Sequence, residues 1–143
     1  PMGVVALIVV LGLQAVAIGE LVQDVLDALL VGVAVCCSRA ALALTCVRGV
    51  PAARDDGLGV AVANSVPRAA AAVSWLAVLL IMAGAATLSG HSPVSGALAT
   101  VAAALAVSFL VYRSLRRLGG ITGDVMGAAI EIAFTVMITV MII

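Results

Sequence analysis

Five runs of this chain, Met2 to Ile18, Val25 to Val47, Ala69 to Leu88, Ser95 to Tyr112 and Val125 to Ile143, are almost continuously apolar. Each is close to the roughly 20 residues that a helix needs to cross the hydrocarbon of a bilayer. Length therefore assigns them as membrane-crossing helices even though periodicity cannot assign their faces. Only 10% of the residues are charged, against about 25% in an ordinary soluble domain, and a 143-residue chain with five such runs has no room for a separate soluble domain. The expected fold is an all-α polytopic membrane bundle, residues 1–143 forming one transmembrane domain. With 3% aromatic residues, the helices must pack through Ala, Gly, Val and Leu, which lets backbones approach closely.

The few charges orient the bundle. Arg48, Arg54 and Arg68 lie at the ends of or between the second and third runs, and Arg113, Arg116 and Arg117 between the fourth and fifth. The links after the first and third runs carry no Arg or Lys. Alternation across five spans puts both arginine-bearing loops on one side, and the positive-inside rule makes that side cytoplasmic. Seven arginines against seven acids, with no lysine, give no net charge that would favour nucleic acid. Cys36, Cys37 and Cys46 share one apolar run without CxxC spacing and read as small buried hydrophobes. His91 reads as a solvated turn residue, Asp55 and Asp56 as solvated loop acids, and Leu58 to Arg68 as a short amphipathic segment at the interface.

Charge, glycine and helix onset coincide only in RRLGGITGDVMGAAIE, Arg116 to Glu131. Gly119, Gly120 and Gly123 permit close approach of a ligand to the backbone, the N–H groups at a helix start attract phosphate, and Arg116 and Arg117 supply positive charge upstream. Asp124 opens the last helix, where a carboxylate can cap it or hold a hard cation such as Mg²⁺. The plain structural reading stands beside this one: Gly123 and Gly127 match a small-xxx-small helix contact, Asp124 is only a cap, and the arginines only set topology. Glu131, about 10 Å farther along the helix, favours function or pairing, since an acid inside a span is costly. Arg39, about 13 Å inward from Arg48, lies at a similar depth, so the two are expected to approach each other or share a polar cavity, the alternative being that Arg39 snorkels to the cytoplasm.

The motif GGITGDVMGAAIE, Gly119 to Glu131, with its preceding arginines closely resembles the GG-x-TGD-x-x-GA signature of the cobalamin synthase family, the adenosylcobinamide-GDP ribazoletransferases. Ser38 to Arg68 is similar to the middle region of that family, and PMGVVAL to the start of one of its spans. The resemblance covers the whole chain, with high specificity at Gly119 to Ala128. It implies a multi-pass inner-membrane enzyme that joins α-ribazole to adenosylcobinamide-GDP, releasing GMP, with Mg²⁺. Matching positions carry over Gly119, Gly120, Thr122, Gly123 and Asp124 as the signature; the first four, with Arg39, Arg116 and Arg117, are the candidate substrate-binding residues. Asp124 and Glu131 are the candidate catalytic acids, Asp124 also the candidate metal ligand. The family's acidic motif of the type DGLAD has no counterpart here, and the first residue is Pro1, so the chain is expected to be a C-terminal half whose missing N-terminal half is needed for activity. A CDP-alcohol phosphotransferase would need a DGxxAR pattern, which is absent. A non-catalytic scaffold or transport subunit is the alternative, although transporters place broken helices near the midplane of both halves.

Overall fold

The computed structural model describes residues 2–143; Pro1, which suggested an internal start, lies outside the described residues. The helices are α1 (Met2–Leu21), α2 (Val25–Ser38), α3 (Ala41–Thr45), α4 (Leu58–Val62), α5 (Arg68–Leu88), α6 (Pro93–Leu118) and α7 (Gly123–Ile142). Five units are long and apolar enough to cross a membrane: α1, α2 joined to α3, α5, α6 and α7. Large apolar side chains cover the outside as well as the core. Leu98, Val101, Leu105, Phe109 and Tyr112 are all exposed along α6, an arrangement that water would penalise and lipid rewards. The protein is a multi-pass helical membrane protein.

Local chemistry sets the ends of these helices. Asp24 caps α2, its carboxylate accepting from the Leu26 and Asp27 amides, while the Asp27 carboxylate reaches back to the Asp24 amide in a capping box. Ser92 caps α6 with Pro93 in its first turn, and α6 ends at Gly119, whose φ of 77° only glycine adopts readily. α6 is longer than its apolar run, so Arg113, Arg116 and Arg117 lie on its last turns rather than in a loop. The second run is not one helix. The Ser38 hydroxyl and Arg39 Nη1 both donate to the Val35 carbonyl at 2.7 Å. The Arg39 and Ala40 amides turn instead to Cys36 and Cys37, three residues back. This side-chain competition for a helix carbonyl offsets α3 from α2. The interfacial segment is likewise shorter than expected, with only Leu58–Val62 helical.

α7 packs against α6, α1, α2 and α3, and its buried residues include Met126, Ala129, Ala133, Met137 and Ile138. α6, packed against α7 and α5, buries Ala99, Ala103 and Val107 at helical spacing. On the α5 side, Gly96 of α6 lies so close to the Met82 backbone that an added Cβ would collide with it, the small-residue packing used where lipid supplies no hydrophobic drive. At the far end from the arginines, Ser89 Oγ donates to the Leu26 carbonyl at 2.9 Å. His91 Nε2 stands 3.3 Å from Asp27 Oδ1 with its side chain 31% exposed, so this turn residue is paired with the first turn of α2 rather than freely solvated. The α3–α5 and α6–α7 connections meet at the opposite end, where the Ala53 amide donates to the Ile121 carbonyl at 2.9 Å and the Ile121 amide to the Pro51 carbonyl at 3.0 Å. Gly120 makes that meeting possible, since a Cβ there would sit 2.5 Å from the Pro51 oxygen and 2.6 Å from the Ala53 nitrogen.

Two outcomes follow from this packing. With the native cysteines replaced, single cysteines at exposed Asp55 and Ser92 should react with an impermeant maleimide from opposite faces of the membrane, Asp55 from the cytoplasmic face; labelling of both from one face contradicts the five-span order. Gly96→Ala and Gly120→Ala should each lower stability in detergent by about 1–3 kcal/mol, the cost of overpacking. Gly12→Ala, where nothing lies within 4 Å of the new Cβ, should not. Thermal unfolding of the three variants checks this.

Candidate functional site

The connection from α3 to α5 is pinched at its base. The Arg48 amide donates to the Val66 carbonyl at 2.8 Å, the Val66 amide to the Cys46 carbonyl at 3.0 Å, and the Gly49 amide to Asn64 Oδ1 at 2.7 Å. Beyond this neck, the segment from Pro51 to Gly57 lies over the α6–α7 turn, held by the paired Pro51, Ala53 and Ile121 hydrogen bonds. Ile121 is buried, and the Ser114 hydroxyl donates to the Gly120 carbonyl from below. Gly59, at the start of α4, is buried against the Ile121 carbonyl, 2.9 Å from where a Cβ would stand. The turn that starts α7 is therefore fixed by backbone contacts on both sides.

Between the two connections lies a cavity of about 200 Å³, lined on one side by Arg54, Asp56, Gly57 and Gly59 and on the other by Ile121, Thr122, Gly123 and Asp124. Thr122 is the N-cap of α7, its hydroxyl accepting from the Val125 amide at 3.3 Å. Asp124, in the first turn, is exposed; among the described residues no hydrogen bond or salt bridge engages its carboxylate. Of the two readings of Asp124 that the sequence leaves open, capping is performed by its neighbour. Arg54 and Asp56 are exposed as well. The lining thus brings together one arginine, two exposed acids and the positive end of a helix dipole, the kinds of group that bind anions and hard cations.

The sequence-derived candidates divide. Thr122, Gly123 and Asp124 line the cavity, and Gly119 and Gly120 shape the turn beneath it. Arg116 lies over the Tyr112 ring, 5.7 Å from its centroid, and Arg117 is exposed on the last turn of α6; neither lines the cavity. Arg39 is exposed, and its Nη1 donates to the Val35 carbonyl and, at 3.1 Å, to Ser38 Oγ. Glu131 does not meet it: its Oε2 accepts from Gln14 Nε2 of α1 at 2.9 Å, and the same amide donates to Thr135 Oγ1 at 2.8 Å. The expected Arg39–Glu131 approach is replaced by a bond between α1 and α7. Arg54, Asp56, Gly57 and Gly59 are the residues that sequence reasoning missed. The signal was present in Arg54-Asp55-Asp56-Gly57-Leu58-Gly59, a second place where arginine, acid and glycine coincide.

The family described as cobalamin-5-phosphate synthase matches residues 1–142. Curated relatives named adenosylcobinamide-GDP ribazoletransferase are similar over nearly the whole chain. One from Nocardioides sp. is 42% identical over 133 residues, covering 93% of this chain and 48% of its own length. One from Frankia casuarinae is 38% identical over 144 residues, covering 97% and 52%, and one from Pseudomonas syringae pv. tomato is 34% identical, covering 92% and 51%. The chain spans about half the length of the curated relatives it matches. No solved structure matches it. With the family match running through both sides of the cavity, the chain belongs to the cobalamin-5-phosphate synthase family.

Proposed function

We propose that this chain is the part of an inner-membrane adenosylcobinamide-GDP ribazoletransferase that carries one wall of the active site, and that the cavity between Asp56 and Asp124 receives the diphosphate of adenosylcobinamide-GDP. In the reaction, a hydroxyl of α-ribazole attacks the phosphorus joined to the cobinamide. A new P–O bond forms, the bridging P–O bond of the diphosphate breaks, and GMP departs with the electron pair while the hydroxyl proton is lost to a base. Such a transfer needs positioning and neutralisation of charge more than covalent help from the protein.

The observation that carries the reading is the free Asp124 carboxylate beside a helix N-terminus already capped by Thr122. Gly123 at that N-terminus and Arg54 both line the cavity, and the Gly123 amide and the Arg54 guanidinium would hold non-bridging phosphate oxygens. Asp56 and Asp124 fit Mg²⁺, a hard cation that takes one or two carboxylates together with substrate phosphates and water. Bound there, Mg²⁺ would neutralise charge developing on the diphosphate. Among the described residues no group of three or more His, Cys, Asp or Glu is placed to hold a metal, so two carboxylates are what this chain would contribute, and the remaining ligands would come from the substrate or an upstream half. Arg116 and Arg117, on the last turn of α6, would raise the local concentration of anionic substrate at the same end.

Asp124→Asn and Asp56→Asn should leave thermal stability unchanged, since neither carboxylate caps the helix, yet lower turnover by about 100-fold or more, as loss of a charge-stabilising group does. GMP release from adenosylcobinamide-GDP and α-ribazole with Mg²⁺, measured on this chain joined to an upstream half, is the assay; near-normal turnover in both variants removes the metal assignment. Thr122→Val should instead cost about 1 kcal/mol of stability through the lost cap. This chain without an upstream half should insert in membranes and release no GMP. Robust turnover by the chain alone overturns the need for the second half, and none with both halves present favours a non-catalytic scaffold.

A further inference from the structure

A carboxylate faces outward from the membrane-spanning part of this bundle. Glu131 is exposed, about 10 Å beyond Asp124 along α7. An arginine at such a depth reaches the headgroups through its long stem, but a glutamate has only two methylenes and stays where its helix puts it. The nearby donors are already committed. Gln14 is nine-tenths buried, and its side-chain amide donates to Glu131 Oε2 and to Thr135 Oγ1. Thr135 in turn donates its hydroxyl to the Glu131 main-chain carbonyl at 2.7 Å, not to the carboxylate. Two carboxylate oxygens and the Gln14 carbonyl, with room for about six accepted hydrogen bonds, share a single donor. Lipid tails supply none.

The surroundings are shaped for a helix. Asp124, Gly127, Ala128 and Glu131 form an exposed line on α7, and a Cβ built on Gly127 meets nothing within 4 Å, so another backbone has room to come close. Beside it, α1 runs parallel to α7: Gln14 meets Glu131, and farther along, Leu21 lines the same cavity as Met141. Val4, Val5, Leu7, Ile8 and Val9 are each 58–64% exposed. Consecutive residues point all round a helix, so among the described residues α1 is unburied on every face from Gly3 to Val9. Relatives of this chain extend to about twice its length, with the matched part lying C-terminal.

We propose that the Glu131 face of α7, together with the free first half of α1, seats a transmembrane helix from the upstream half that the longer relatives carry, and that this helix presents a hydrogen-bond donor, an amide or a cationic side chain, to the Glu131 carboxylate. The acceptor surplus specifies the partner's chemistry, and Gly127 and Ala128 specify its closeness. The inference rests on the packing and on family membership, not on the reaction assigned above.

The test joins the upstream half of the Nocardioides relative to this chain and places a photo-crosslinking benzophenone side chain at Gly127 or, as a lipid-facing control, at Leu105, which is 67% exposed on α6. Irradiation of membranes should link Gly127 to an upstream peptide of the same polypeptide, while Leu105 gives lipid adducts. With the upstream half expressed as a separate tagged chain, co-purification should fall about tenfold in Glu131→Leu and in Gly127→Ile, persist in Glu131→Gln, which still accepts, and be unchanged in Leu105→Ala. Lipid adducts alone at Gly127, a crosslink to a second copy, absence of co-purification with the unaltered chain, or equal retention in all variants overturns the proposal.

Discussion

Hydrocarbon donates no hydrogen bonds, and every part of this molecule answers to that fact. Backbone groups must be satisfied within each segment, which leaves helices as the form for the apolar runs. The one irregular place inside a span, between α2 and α3, keeps its pairing because Ser38 and Arg39 supply side-chain donors to the Val35 carbonyl while the displaced amides find carbonyls three residues back. Non-helical backbone is otherwise concentrated at the two ends, where water and other loops provide partners. The candidate cavity lies at such an end, between a pinched loop and a glycine turn.

The same constraint explains what was legible in the sequence. Number, length and alternation of the spans could be read because an apolar run of this size has no soluble alternative, and the arginines broke the symmetry between the two ends. Thr122 to Asp124 could be read because glycine, acid and helix onset stood together. Asp56 was legible only as a member of the Arg54 to Gly59 cluster of arginine, acid and glycine, not as a neighbour of Asp124. Nothing in Ala53 to Gly57 says that this loop crosses to the α6–α7 turn; that depends on the hydrogen bonds of Pro51 and Ala53 with Ile121 and on the missing side chain of Gly120, a contact across nearly seventy residues of chain.

Depth misled the reasoning on Arg39 and Glu131. Counting residues gave both a similar distance from the same membrane face, but depth leaves the direction around the helix axis undetermined. Near-uniform apolar runs carry no moment that would fix it. Gln14 held the missing information, as a lone polar residue in the first run whose amide had to find acceptors somewhere in the bundle. A polar side chain in a span is a better guide to neighbours than an ion pair inferred from level.

α7 is the helix on which α1, α2, α3 and α6 converge, and it follows all of them in the chain. During synthesis, which delivers N-terminal segments first, α1 enters the membrane before its main contact exists, with Gln14 carrying an amide that only Glu131 and Thr135 later engage. The spans between can pack on one another beforehand, α5 with α6 and α2 with α5, but α1 gains its main contact only when α7 arrives. A ribosome stalled before Gly123 would leave α1 without its main contact, and the chain would be marked as unfinished by half a cavity and an uncovered Gln14 amide.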